Sequence, residues 1–118
     1  MGQPVIHFEI GGRDNAAAQA FYGKLFDWKM EKYGNVAMVA TGSTAGIQGH
    51  LNTLGHEPHH YVTIYVQVDD VQLYLDRAGQ LGGKTLLPPT EVPGMGHFAW
   101  FADPDGNIIG LWKPMAKQ

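Results

Sequence analysis

One succession of elements can be read twice along this chain, and the repetition restricts its fold more than any other feature. Val5 to Ile10 alternates, with Ile6, Phe8 and Ile10 on one side and Val5, His7 and Glu9 on the other. That is the period of a strand with one face on a core. After Gly11-Gly12-Arg13, Asp14 or Asn15 is a good N-cap. Ala17, Ala18, Phe21, Tyr22 and Leu25 then fall at helical spacing, so a helix is predicted to about Phe26. Trp28 to Lys32 and Val36 to Ala40 read as two short strands around Tyr33-Gly34-Asn35. Ala45 to Leu51 is a fourth strand, weakened by Gly46 and Gly49. Asn52 to His60 is polar and reads as a linker.

The order then begins again. In Tyr61 to Val68 the residues Val62, Ile64, Val66 and Val68 share one side, and Tyr61, Thr63, Tyr65 and Gln67 the other. Asp69-Asp70 supplies a cap. Val71, Tyr74, Leu75, Ala78 and Leu81 make a helical stripe, which Gly82-Gly83 ends. Lys84 to Leu87 is a strand, stopped by Pro88-Pro89. Pro88 to Gly96 is a long connection and a candidate lid. His97 to Ala102 and Ile108 to Trp112 form a hairpin around Asp103-Pro104-Asp105-Gly106-Asn107. In that turn the acidic side chains meet backbone amides and Gly106 accepts a positive φ.

Aligning the two caps offsets the halves by 70 − 14 = 56 residues and superposes His7 on Thr63. Such repetition suggests a duplicated unit. The expected fold is α+β: two tandem βαβββ modules, residues 1–55 and 56–118, forming curved mixed sheets in one domain. Each helix would cover one face of its own sheet, and the other faces would line a cleft. His7, Glu9, Thr63, Tyr65 and Gln67 would point into it.

The net charge of −3 comes with no basic stripe, so neither nucleic acid nor a membrane surface is expected as a partner. The absence of cysteine excludes thiolate metal sites and a cysteine nucleophile. No basic segment followed by an apolar run opens the chain, and no stretch is apolar for the length of a bilayer, so a cytoplasmic protein is expected.

The strings Val5-Ile6-His7-Phe8-Glu9-Ile10, Ala20-Phe21-Tyr22-Gly23-Lys24-Leu25-Phe26-Asp27-Trp28, Val66-Gln67-Val68-Asp69-Asp70-Val71 and Phe101 to Asn107 resemble the vicinal oxygen chelate superfamily. Its members include glyoxalase I, bleomycin-resistance proteins and extradiol dioxygenases. The resemblance covers nearly the whole chain and implies the paired βαβββ fold. It also implies a divalent metal held by His, Glu or Gln on the first and fourth strands of each half, where it binds vicinal oxygens of a substrate. His7 matches the first ligand place and is the one weak metal candidate. Thr63 and Gly110 stand where a second His and a Glu are usual. The fourth place falls within Ile47-Gln48-Gly49-His50. One register turns Gly49 inward, and a slip by one turns Gln48 and His50 inward. With the set this depleted, a bound cofactor is not expected.

The resemblance implies a glyoxalase-like protein, related to lactoylglutathione lyase, acting as a lyase or isomerase on a small oxygenated molecule. Two alternatives stand beside it: a non-catalytic binding protein of the bleomycin-resistance type, and an extradiol dioxygenase. The candidate catalytic residues are His7 and Glu9. The candidate ligand-binding residues are Thr63, Tyr65, Gln67, Gly110 and Trp112, with Gly110 leaving room for a ligand and Trp112 forming an apolar wall. His97 is a candidate to face the cleft. His50, His56, His59 and His60 read as one polar loop. A homodimer is expected from curved sheets with exposed edges.

Overall fold

The computed structural model describes residues 2–116. They form β1 (Val5–Gly11), α1 (Asn15–Phe26), β2 (Lys29–Tyr33), β3 (Val36–Ala40), β4 (Gln48–Asn52), β5 (Val62–Gln67), α2 (Val71–Gln80), β6 (Lys84–Val92), β7 (Gly96–Ala102) and β8 (Ile108–Pro114). This is the α+β succession of strand, helix and three strands, read twice. Two compact units contain it: His7–Thr63, and Ile64 onward together with the first residues up to Ile6.

In the first unit the strands run in the order β2-β3-β4-β1. β1 and β4 are parallel, and the remaining neighbours are antiparallel. Asp14 caps α1 by accepting the Ala17 N–H at 3.0 Å. The Asn15 amide donates to the Asn35 carbonyl at 2.8 Å, which ties the helix start to the β2–β3 turn. Ala37, Val39 and Leu51 form the buried centre, with Phe8, Ile10, Tyr22 and Trp28 packed against it. Burying a side chain of this kind contributes ~1.5–3 kcal/mol, so this face holds β1 in register.

The second unit has the order β5-β8-β7-β6, with β5 and β8 parallel. Asp70 caps α2 by accepting the Leu73 N–H at 3.0 Å. At the other end the Gly83 N–H returns to the Ala78 carbonyl at 2.7 Å, over Gly82 at φ 102°. Val68, Val71, Leu75, Ala99 and Leu111 make the core. The Asp103–Asn107 turn closes as expected: Asp103 Oδ1 accepts the Asp105 and Asn107 N–H groups, each at 2.9 Å.

Three expectations are corrected. The prolines do not end β6, which continues to Val92. Leu87 pairs with Trp100 and Thr90 with Phe98, and the register shifts between them. β6 ends the strand order of its unit, so an irregular ladder tolerates residues that lack an N–H. The expected lid over Pro88 to Gly96 is therefore mostly strand. β4 begins at Gln48 and takes in Asn52, because the positive φ of 80° at Gly46 keeps the residues before it in a turn. On β5 the alternation is right but its burial is not. Thr63 and Tyr65 are 2% and 5% exposed, whereas Val62 and Ile64 are 73% and 37% exposed. Periodicity shows which residues share a face, and does not say which face is covered.

Candidate functional site

The parallel pairing of β1 with β4 sets the first unit's polar face. His7 lies opposite Gln48, Phe8 opposite Gly49, and Glu9 opposite His50. A Cβ on Gly49 would overlap the ring and carbonyl of Phe8, so Gly49 lies against the apolar series. Gln48 and His50 consequently share the face of His7 and Glu9, which decides the register left open by the sequence. His50 does not belong to a polar loop with His56, His59 and His60.

Three groups converge on Glu9, a carboxylate only 1% exposed. His50 Nε2 stands 3.0 Å from Glu9 Oε1. The Asn52 amide donates to Glu9 Oε2 at 3.1 Å, and the Tyr61 hydroxyl donates to the same oxygen. On its far side His50 presents Nδ1 to His7 Nε2 at 2.6 Å. The result is a file of hydrogen-bonded groups, Glu9–His50–His7, running across two parallel strands.

Chemistry assigns the protons. An ionised carboxylate only accepts, so His50 Nε2 carries hydrogen. With hydrogen on Nε2 alone, His50 offers Nδ1 as the acceptor for His7 Nε2–H. Burial, and then the neighbouring His50, lower the His7 pKa from 6.5 to about 4, against a smaller upward pull from Glu9. His7 is thus neutral at pH 7, with Nδ1 as its basic nitrogen. Burial, and next the bond to Glu9, push the Tyr61 hydroxyl far above its ordinary range, so it stays a donor.

The remaining candidate residues lie outside this file. Thr63 is buried. In the second unit Tyr65 pairs with Gly110 and Gln67 with Trp112. Gly110 does not leave a gap: a Cβ there would overlap the Tyr65 ring, which covers the glycine. The Trp100 indole N–H donates to the Tyr65 hydroxyl at 2.8 Å and fixes that ring. Trp112 is half-buried and closes over Gly96, and His97 is exposed on β7 opposite Glu91. Sequence reasoning missed Asn52, taken as linker, and the part played by Tyr61. Their signal was the first-to-fourth strand pairing, which brings the ends of β1 and β4 together.

The donor set does not fit the divalent metal implied by the resemblance. His50 turns one nitrogen to His7 and the other to Glu9, so the three side chains form a line rather than converge. Among the described residues no three His, Asp or Glu side chains are grouped to hold an ion.

Comparison with known proteins adds the following. The model of the Glyoxalase/Bleomycin resistance protein/Dioxygenase superfamily matches residues 5–111. The anthracycline biosynthesis protein DnrV of Streptomyces peucetius is 29% identical over 124 residues, covering 90% of this chain and 45% of that protein. CFP32 of Mycobacterium tuberculosis, whose name proposes a glyoxylase, is 28% identical over 108 residues, covering 85% of this chain and 41% of the other. The chain therefore spans less than half the length of these relatives. Among solved structures, methylmalonyl-CoA epimerase from Mycobacterium tuberculosis superposes with a TM-score of 0.68 at 15% identity, over 95% of this chain and 88% of that one.

Proposed function

This chain belongs to the Glyoxalase/Bleomycin resistance protein/Dioxygenase superfamily, and we propose that within it the chain is a lyase or isomerase that moves a proton on a small oxygenated molecule, with His7 as the base. One observation carries the reading: the buried Glu9 carboxylate is paired with His50, which is hydrogen-bonded in turn to His7. A neutral imidazole can take a proton, whereas an imidazolium cannot. On capture at His7 Nδ1, positive charge develops on the ring. His50 accepts the Nε2–H bond, and the buried Glu9 carboxylate stabilises the charge through His50. The arrangement suits removal of a hydrogen next to a carbonyl, where the developing enolate needs a nearby cation. No step passes through a metal.

The glyoxylase-named relative lends support, and the methylmalonyl-CoA epimerase neighbour shares the fold. The test is a panel of small 2-oxo acids, α-hydroxyketones and hemithioacetals incubated with the protein in deuterated water and followed by NMR. Deuterium should enter the carbon beside the carbonyl of at least one class, and His7→Ala should abolish it. Binding without exchange in any class would favour the bleomycin-resistance type of binding protein instead.

A further inference from the structure

The Glu9 carboxylate has two oxygens, and Oε1 stands 3.0 Å from His50 Nε2. What holds the other oxygen decides where the first one points. Oε2 takes two donors, the Asn52 amide and the Tyr61 hydroxyl. Two donors on one oxygen hold the carboxylate plane, because both hydrogens are aimed at Oε2 as their acceptor. Tyr61 lies just before β5, yet it is bound to β1 by both its backbone and its side chain. The Gly11 N–H donates to the Tyr61 carbonyl at 2.9 Å. A Cβ on Gly11 would overlap the Tyr61 ring, so the ring lies flat where only glycine leaves space.

We propose that Tyr61 is a positioning residue: seated on Gly11, its hydroxyl fixes Glu9, and through Glu9 it holds His50 in the tautomer with hydrogen on Nε2. The value of this arrangement to catalysis rests on the proton-transfer reading above. The arrangement itself does not. With His50 Nε2 committed to Glu9, His50 Nδ1 is left to accept from His7, and His7 keeps its basic nitrogen at Nδ1. Release of Glu9 would let it turn, and His50 would then sample the other tautomer and oppose His7 donor to donor.

Long-range nitrogen–proton NMR on labelled protein at pH 7 tests this without a substrate. Wild-type His50 should show a single tautomer, with bare Nδ1 and protonated Nε2. Tyr61→Phe keeps the ring and removes the hydroxyl, and it should populate the second tautomer of His50. Gly11→Ala, which moves the ring and keeps the hydroxyl, should do the same. In a compound active in the exchange assay, Tyr61→Phe should lower kcat by roughly tenfold with little change in KM, as for loss of one well-placed bond. Protonated Nδ1 on His50 in the wild type would overturn the proposal, as would identical tautomers in the wild type and both folded variants. Should Tyr61→Phe not fold, the wild-type spectrum and Gly11→Ala decide. Failure of every compound in the exchange assay, with the tautomers as expected, would sink the proposed reaction and leave the positioning role standing.

Discussion

At His7 the fold and the chemistry draw on the same quantity. The side chain binds its proton less readily when folded, at about 4, than an ordinary imidazole at 6.5. Between those values the unfolded chain holds more protons, so acid favours unfolding. The His7 contribution is complete above pH 6.5 and is lost as the pH falls toward 4. Denaturant titrations from pH 7.5 to 4.5 should show stability falling with pH, and His7→Gln should flatten that slope. A slope unchanged in the variant would assign the acid sensitivity elsewhere. Glu9 makes a second point at this scale. Its carboxylate is buried with His50, Asn52 and Tyr61 as partners, so Glu9→Leu leaves the His50 Nε2, the Asn52 amide and the Tyr61 hydroxyl facing an apolar group. Loss of about 3–5 kcal/mol in chemical denaturation is expected, as for a buried pair with one partner removed.

At the scale of elements, two glycines are fixed by the rings across from them. Gly49 faces Phe8, and Gly110 faces Tyr65, so a methyl group at either place overlaps an aromatic ring. Gly49→Ala and Gly110→Ala should each cost about 1–3 kcal/mol in urea titrations, the usual range for overpacking. Gly110→Leu should unsettle the second unit rather than fill an open site. The same two positions show how far the sequence could be read. Alternation on β1 and helical spacing in Ala17 to Leu25 were enough to order the elements, because both come from local geometry. The caps at Asp14 and Asp70 were legible for the same reason. His7 and Glu9 could be placed on one face, but their partners could not. His50 reaches Glu9 only through the β1–β4 register, a long-range pairing that alternation leaves open by one residue. Tyr61 required knowing that Gly11 lies beneath its ring. The prolines of β6 misled because an edge ladder can skip bonds that a central one cannot.

At the scale of the whole molecule, α1 carries large exposed apolar side chains. Phe21, Leu25 and Phe26 are 60%, 58% and 53% exposed on one helix. Relatives that match this chain are more than twice as long as the matched stretch. A second copy covering apolar surface of this kind makes a homodimer the expected state. Light scattering at micromolar concentration should give twice the chain mass, and Phe21→Glu with Leu25→Glu should halve it. No helix among the described residues is long and apolar enough to cross a membrane. The line formed by His7, His50 and Glu9 leads us to expect no stoichiometric zinc, nickel or iron in untagged protein by elemental analysis. The proton-transfer account meets its most direct test in the pH dependence of solvent deuterium entry into a responsive compound, followed for the intact protein from pH 5 to 8. The account predicts a rate nearly flat across that range, because His7 stays neutral down to about 4, and a fall of at least about a hundredfold in His7→Ala. A rate that halves near pH 6.5, or exchange undiminished in His7→Ala, would contradict it.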